Sequence, residues 1–170
     1  IEKAPIEEVD FSQEYVKVLS DKFQHLNLEG QHFLIDTMHG AANQCFEQIV
    51  EPLKARVTSI APQRDPLFGG RNPEPRPQNL RAFIAEAESK KYHAAFAFDG
   101  DSDRIVACDE DGKFVSTHLV LALLAYHMIN NKQEKGIVVK TVSAGLLLDM
   151  ICEDYGIPLK VTPIGFKYVA

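Results

Sequence analysis

The sequence has no basic tract, no membrane-length apolar run and only three cysteines. Its net charge is −6, which argues against a nucleic-acid partner. The acidic average leaves a phosphorylated ligand open, because local loops decide that. The longest apolar stretch, Leu119 to Tyr126, is bracketed by histidines and falls well short of the roughly 20 residues of a bilayer span, so no membrane partner is expected. Cys45, Cys108 and Cys152 are scattered and odd in number, the pattern of reduced thiols in a cytoplasmic protein rather than of a disulfide framework. Ile1-Glu2-Lys3-Ala4-Pro5 is neither a signal peptide nor a start with methionine. At the other end, Gly165-Phe166-Lys167-Tyr168-Val169-Ala170 has no closing element, so both ends read as interior points of a longer chain. No short-period repeat is present.

What remains is an average soluble composition, 45% hydrophobic and 25% charged over 170 residues, enough for one domain or one plus part of another. Asp10 and Gln13 resemble a capping box before Phe11, Tyr15, Val18, Leu19 and Phe23, predicting an amphipathic helix over 10–25. A strand is expected at 31–35, a helix at 41–54 with Pro52 in its last turn, and a β-branched strand at 56–60. Residues 61–77 hold five prolines and the Gly69-Gly70 pair, an irregular loop that is stiff at several positions. A helix follows at 78–91 and strands at 93–98 and 104–109. Asp111-Gly112 turns the chain into a short strand at Phe114-Val115. Beyond 116 come an apolar helix at 117–130, a strand at 136–140, a helix at 143–155 and a strand at 158–163. The alternation predicts an α/β fold of βαβ units, with a mixed, mostly parallel sheet in three α/β/α layers. The domains expected are one full domain at 1–115 and part of a second, similar one at 116–170.

The chemistry concentrates in Asp99-Gly100-Asp101-Ser102-Asp103-Arg104. Three carboxylates alternate along a loop between two apolar strands, at a strand end where open α/β sheets hold ligands. Carboxylates so close repel one another unless a cation holds them. Oxygen-only ligands favour a hard ion, Mg²⁺ before Mn²⁺ or Ca²⁺, and three of them leave open positions for water or a phosphate oxygen. Arg104 adds a planar donor suited to a carboxylate or phosphate. Two rival readings stand beside this one. Asp99, Asp101, Asp103 and Glu110 match four EF-hand positions, but Arg104 occupies the obligatory glycine position and the flanks read as strands. A solvated acidic turn is the other, and placement directly after a buried strand counts against it.

Asp99 to Arg104 resembles the metal loop of the alpha-D-phosphohexomutases, the phosphoglucomutase and phosphomannomutase superfamily. Three further segments agree in order. Asp36-Thr37-Met38-His39-Gly40 resembles that family's Asp-Pro-Met-His-Gly, with threonine for proline. Phe68-Gly69-Gly70-Arg71-Asn72-Pro73-Glu74-Pro75 is similar to its Phe-x-Gly-x-x-Pro-x-Pro, and Gly165-Phe166-Lys167 to its Gly-Phe-Lys. The resemblance implies a four-domain enzyme that interconverts hexose 1-phosphate and hexose 6-phosphate through a phosphoserine, a hexose bisphosphate and Mg²⁺. Asp99, Asp101 and Asp103 would then hold the Mg²⁺. Arg104 and Lys167 would contact the phosphoserine or substrate, and Lys140, at the end of the predicted strand 136–140, is expected to point into the same cleft. The family's Ser-His-Asn-Pro phosphoserine motif and its Gly-Glu-x-Ser sugar loop are both absent from these residues. No catalytic nucleophile is therefore assigned here: Ser102 lies between metal ligands and is no substitute. The chain is expected to carry the second domain and the start of the third, and to be inactive alone. A non-catalytic module of the same fold, binding a sugar phosphate or a protein, is the alternative.

Other residues read more plainly. Without the resemblance, Lys167 is a surface lysine. His39 is expected to hold loop backbone, having no partner acid or nucleophile, and Arg71 to brace the proline-rich loop against an acid. His118 and His127 read as ordinary helix residues and Cys108 as a buried filler.

Overall fold

In the computed structural model, which describes residues 7, 9–89 and 91–169, the strands follow the hydrophobic runs. β1 (His32–Asp36), β2 (Arg56–Ile60), β3 (Ala94–Phe98), β4 (Ile105–Cys108) and β5 (Phe114–Val115) form one sheet in the order β2-β1-β3-β4-β5. β1 pairs in parallel with β2 and β3, whereas the β3–β4 and β4–β5 pairs are antiparallel. The sheet is thus mixed. Its parallel half is built from α1 (Ser12–Phe23), α2 (Cys45–Val50) and α3 (Arg81–Ala87) alternating with the strands.

Strand alternation sorts the side chains into two layers of packing. Leu34, Ala95, Ala97, Val106 and Cys108 face one side, where Leu80, Phe83 and Ala87 of the α3 segment close the core. Phe33 and Phe96 face the other side and meet Phe46 of α2, with ring centroids 6.1–6.2 Å apart. This is the three-layer α/β/α arrangement that the alternation predicts.

The second part carries α4 (Thr117–Tyr126), β6 (Val138–Thr141), α5 (Leu147–Asp154) and β7 (Leu159–Thr162), with β6 and β7 paired in parallel. Ser116 caps α4 by accepting from the Leu119 amide, and Thr117 Oγ1 donates to Ile105 O on β4 at 3.1 Å, tying the two parts together.

Several helices are shorter than expected. The box at the start of α1 does not form; Asp10 accepts from the Ser12 amide at 2.8 Å instead. α2 begins only at Cys45, because residues 41 and 42 give their amides to the acidic loop. Past Val50 the chain tightens into a 3₁₀ turn at Glu51–Leu53, with Pro52 inside it, and Lys54 ends it at φ 71°. Pro77–Asn79 is likewise a separate 3₁₀ turn ahead of α3. α4 passes at His127–Asn131 into a single π-helical turn.

Candidate metal centre

Because β1, β2 and β3 run parallel, the loops that follow them lie on one edge of the sheet. The three loops, 37–44, 61–77 and 99–104, are stitched together by backbone bonds. The Ala41 amide donates to Gly100 O at 2.9 Å, the Gly100 amide to Pro73 O at 3.1 Å and the His39 amide to Ala61 O at 3.3 Å. Ala42 N donates to Ser102 Oγ at 3.0 Å. Thr37, where the family loop carries proline, uses its hydroxyl to donate to Ala61 O at 2.7 Å. Six non-glycine residues in these loops hold positive φ, Met38, His39, Asn43, Ala61, Phe68 and Ser102. Backbone so disfavoured persists only where its surroundings over-determine it.

The middle loop folds around two acids. Asp65 accepts from the Leu67 and Gly69 amides at 2.9 and 3.0 Å, and these bonds hold its pKa below the usual carboxylate value. Asp36, wholly buried at the end of β1, receives both arms of the Arg71 guanidinium at 2.7 and 2.9 Å. Its Oδ1 also accepts from Met38 N at 2.8 Å. Arg71 is therefore the brace the sequence predicts, and Asp36 is the acid it grips. His39 bonds Gln63 O through Nδ1 at 2.8 Å, the backbone-holding role expected of it.

The acidic loop brings Asp99, Asp101 and Asp103 together, with one carboxylate oxygen from each within 4.8 Å of the others. An ion with metal–oxygen distances of about 2.1 Å spans trans ligands roughly 4.2 Å apart. Small rotations of the exposed Asp101 and Asp103 would close that gap, so the donor set fits a hard divalent cation. Asp99 is fully buried. Burial opposes its ionisation, yet the Arg104 amide at 3.0 Å and guanidinium at 2.5 Å outweigh it, and its pKa lies below the ordinary value. Asp103 is shifted up, by its hydrogen bond to Asp99 and by repulsion from Asp99 and Asp101. A cation would relieve that repulsion. Two clefts flank the loop, and Asp101 lines both. One, of 510 Å³, is bounded by His39, Gly40, Arg64 and Phe68; the other, of 590 Å³, lies under Phe11, Tyr15 and Phe46.

The remaining candidates divide. Arg104 stays at the centre, its Nε also 3.4 Å from Asp103 and its Nη1 3.7 Å from Glu74. Lys140 is engaged by its own neighbours. β6 runs one residue past it, so Lys140 sits inside the strand, buried, and its ammonium is held by Gly145 O at 2.7 Å and by the Asp149 carboxylate. A buried ammonium needs such partners, and these two occupy it. Lys167 is exposed on the helical turn Phe166–Tyr168, its Nζ 4.9 Å from the Tyr168 ring centroid. Among the described residues, no hydrogen bond or ion pair joins it to the acidic loop. The sequence marks Asp36 and Glu74 as members of family-like segments but does not show that they, or Ser102, build the site. The one signal was the acid that closes β1.

The likeness to known proteins extends over nearly the whole chain. Residues 13–112 match the family model for phosphoglucomutase/phosphomannomutase alpha/beta/alpha domain II, and residues 116–170 match the model for domain III. A phosphoglucosamine mutase of Solidesulfovibrio magneticus is 32% identical over 150 residues, 85% of this chain and 32% of that protein. A phosphoglucomutase/phosphomannomutase of Thermococcus kodakarensis is 31% identical over 137 residues, 81% of this chain and 30% of its own. The crystal structure of a Thermus thermophilus protein of phosphomannomutase type superposes with a TM-score of 0.86 at 31% identity, covering 97% of this chain and 39% of that one. The chain thus spans about a third of the length of these curated relatives. On the matched domains and the acidic loop they frame, it belongs to the phosphoglucomutase/phosphomannomutase family, the alpha-D-phosphohexomutases.

Proposed function

We propose that this chain forms the Mg²⁺-binding portion of a hexose-phosphate mutase, dividing near residue 115 into a metal-loop domain and the beginning of a second. The carrying observation is the convergence of Asp99, Asp101 and Asp103 at the carboxyl edge of the parallel strands. The same fold occurs in an Aspergillus fumigatus N-acetylphosphoglucosamine mutase crystallised with GlcNAc-6P and magnesium, 18% identical with a TM-score of 0.64.

In this reading Asp99 is the fixed ligand, held by Arg104 and ionised despite burial. Asp101 and Asp103 are the mobile ligands that close on the ion. When bound, Mg²⁺ withdraws charge from a phosphoryl group in transfer and orients it for in-line attack. Arg104, half exposed beside the acids, presents its outer nitrogen to a phosphate oxygen. The 510 Å³ cleft with Arg64 and His39 at its wall offers room for a sugar phosphate next to Asp101. Lys167 remains a candidate substrate contact through its exposed ammonium. Lys140 would first have to leave Asp149. The phosphoserine comes from elsewhere in the parent protein, which interconverts hexose 1-phosphate and hexose 6-phosphate.

Calorimetric titration tests the metal site. The 170-residue chain is expected to bind Mg²⁺, and an Asp101→Asn variant to bind it more weakly. Absence of heat from both proteins would remove the site. The same preparation is expected to show no mutase turnover on hexose phosphates, and measurable turnover would overturn the assignment of the nucleophile to another segment.

A further inference from the structure

Arg71 makes no hydrogen bond or ion pair with the three aspartates, yet it stands at the root of the segment that presses on Gly100 between two of them. Its guanidinium grips Asp36 at the end of β1, the middle strand of the parallel trio, with two bonds of 2.7 and 2.9 Å. Asp36 is wholly buried and is further fixed by the Met38 amide. A bidentate pair at a buried carboxylate is geometrically demanding, and only arginine supplies the fork.

From that anchor the chain runs both ways onto Gly100. Two residues on, Pro73 O accepts from the Gly100 amide at 3.1 Å. Three residues back, the Phe68 ring covers the Gly100 Cα. A Cβ added at Gly100 would lie 2.9 Å from Phe68 Cε1 and 3.1 Å from Pro73 Cβ. Gly100 is the single residue between Asp99 and Asp101. On its other side Gly40 packs against the Gly100 carbonyl with no room for a methyl group, a Cβ there lying 2.5 Å from Gly100 O. The residue that sets the separation of two metal ligands is thus clamped between two loops, and one of them is pinned by Arg71.

We infer that Arg71 is a positioning residue for the acidic loop: by locking residues 68–73 to Asp36 it fixes Gly100, and through Gly100 the spacing of Asp99 and Asp101. This rests on the reading of those aspartates as metal ligands. Partners that orient ligands in this indirect way typically contribute about 10–100-fold in metal affinity. Arg71→Met leaves every ligand in place but removes the clamp, and is expected to weaken divalent binding about tenfold. Arg71→Lys keeps the charge without the fork and is expected to fall between Met and wild type.

The test is Mn²⁺ binding followed by electron paramagnetic resonance, at a temperature where thermal melts show every variant folded. Val50→Ala, a core truncation in α2 away from the clamp, is the control for lost stability alone and should bind as wild type does. A purely structural Arg71 would lower the melting temperature, as Val50→Ala does, and leave Mn²⁺ affinity unchanged; that result overturns the inference. Where Arg71→Met does not fold, Phe68→Leu decides, since it slackens the same press on Gly100 with the ion pair intact: weakened binding supports the inference and wild-type binding overturns it. Mn²⁺ bound by wild type, lost in Asp101→Asn but retained by Arg71→Met, removes this inference and keeps the metal site. No Mn²⁺ binding by wild type removes both.

Discussion

Cys108 shows how burial sets the chemistry of a single residue. It lies on β4, 1% exposed, in the core beneath α3. Burial first, and then the carboxylates of Asp109 and Glu88, push its thiol up from 9.0 to about 11. The folded chain therefore keeps this proton through a pH range where the unfolded chain has lost it. That stabilisation is complete below pH 9 and disappears as pH rises through about 11. A shift of two units corresponds to about 2–3 kcal/mol at most. Chemical denaturation across that range should show wild type losing stability faster than Cys108→Ala. Identical pH slopes would show that the thiol does not titrate as its burial implies. The sequence reading of Cys108 as an apolar filler and of Arg71 as a brace both hold at this scale, because one follows from strand pattern and the other from a cation in a proline-rigid loop. Lys140 could not be read the same way. Its fate turns on a one-residue shift in the end of β6 and on Asp149, nine positions away, and nothing local to the strand encodes either.

At the scale of elements, the strands were legible and the helix starts were not. Apolar runs such as Ala94 to Phe98 have one way to be buried. The amides of residues 41 and 42 had a choice between starting α2 and holding the acidic loop, and the loop took them. The same competition explains why β4 starts after Arg104, whose amide goes to Asp99 instead. The convergence of three loops on one edge follows from parallel pairing, which the βαβ pattern predicts. The contact between Gly40 and Gly100 does not follow from it, since the two are far apart in sequence. Gly40→Ala tests that contact directly. The added methyl would meet backbone, not a movable side chain, so the acidic loop must shift. Overpacking of this kind costs about 1–3 kcal/mol, which a urea midpoint would register, and Mg²⁺ titration should show weakened binding. Unchanged stability and affinity would mean that the two loops move apart freely.

Within these 170 residues the two parts are unequal in how much they bury. The five-stranded sheet is closed on both faces, with Leu34, Ile35, Phe83 and Ala97 at 0% exposure. The second part has two paired strands, and α4 buries only Ala122 fully, while Leu123, Leu124, Met128, Leu146 and Met150 stand between 46% and 77% exposed. A pair of strands gains too little apolar burial to be stable alone, and segments with few buried contacts open at lower free energy than the core. Native-state hydrogen exchange resolves the difference residue by residue. The Val138 and Val142 amides, bonded to Pro158 and Thr162 at 2.9 and 3.0 Å, should exchange through local opening that is insensitive to low denaturant. The amides that pair β1 with β3 should exchange only with global unfolding and follow its denaturant dependence. Arg71 and the acidic loop belong to the second class, because their anchors are Asp36 on β1 and the end of β3. The acidic loop should thus stay assembled under conditions that open β6 and β7. Equal protection in both sheets would show instead that Thr117 and the α4–β4 contact couple the two parts into one cooperative unit.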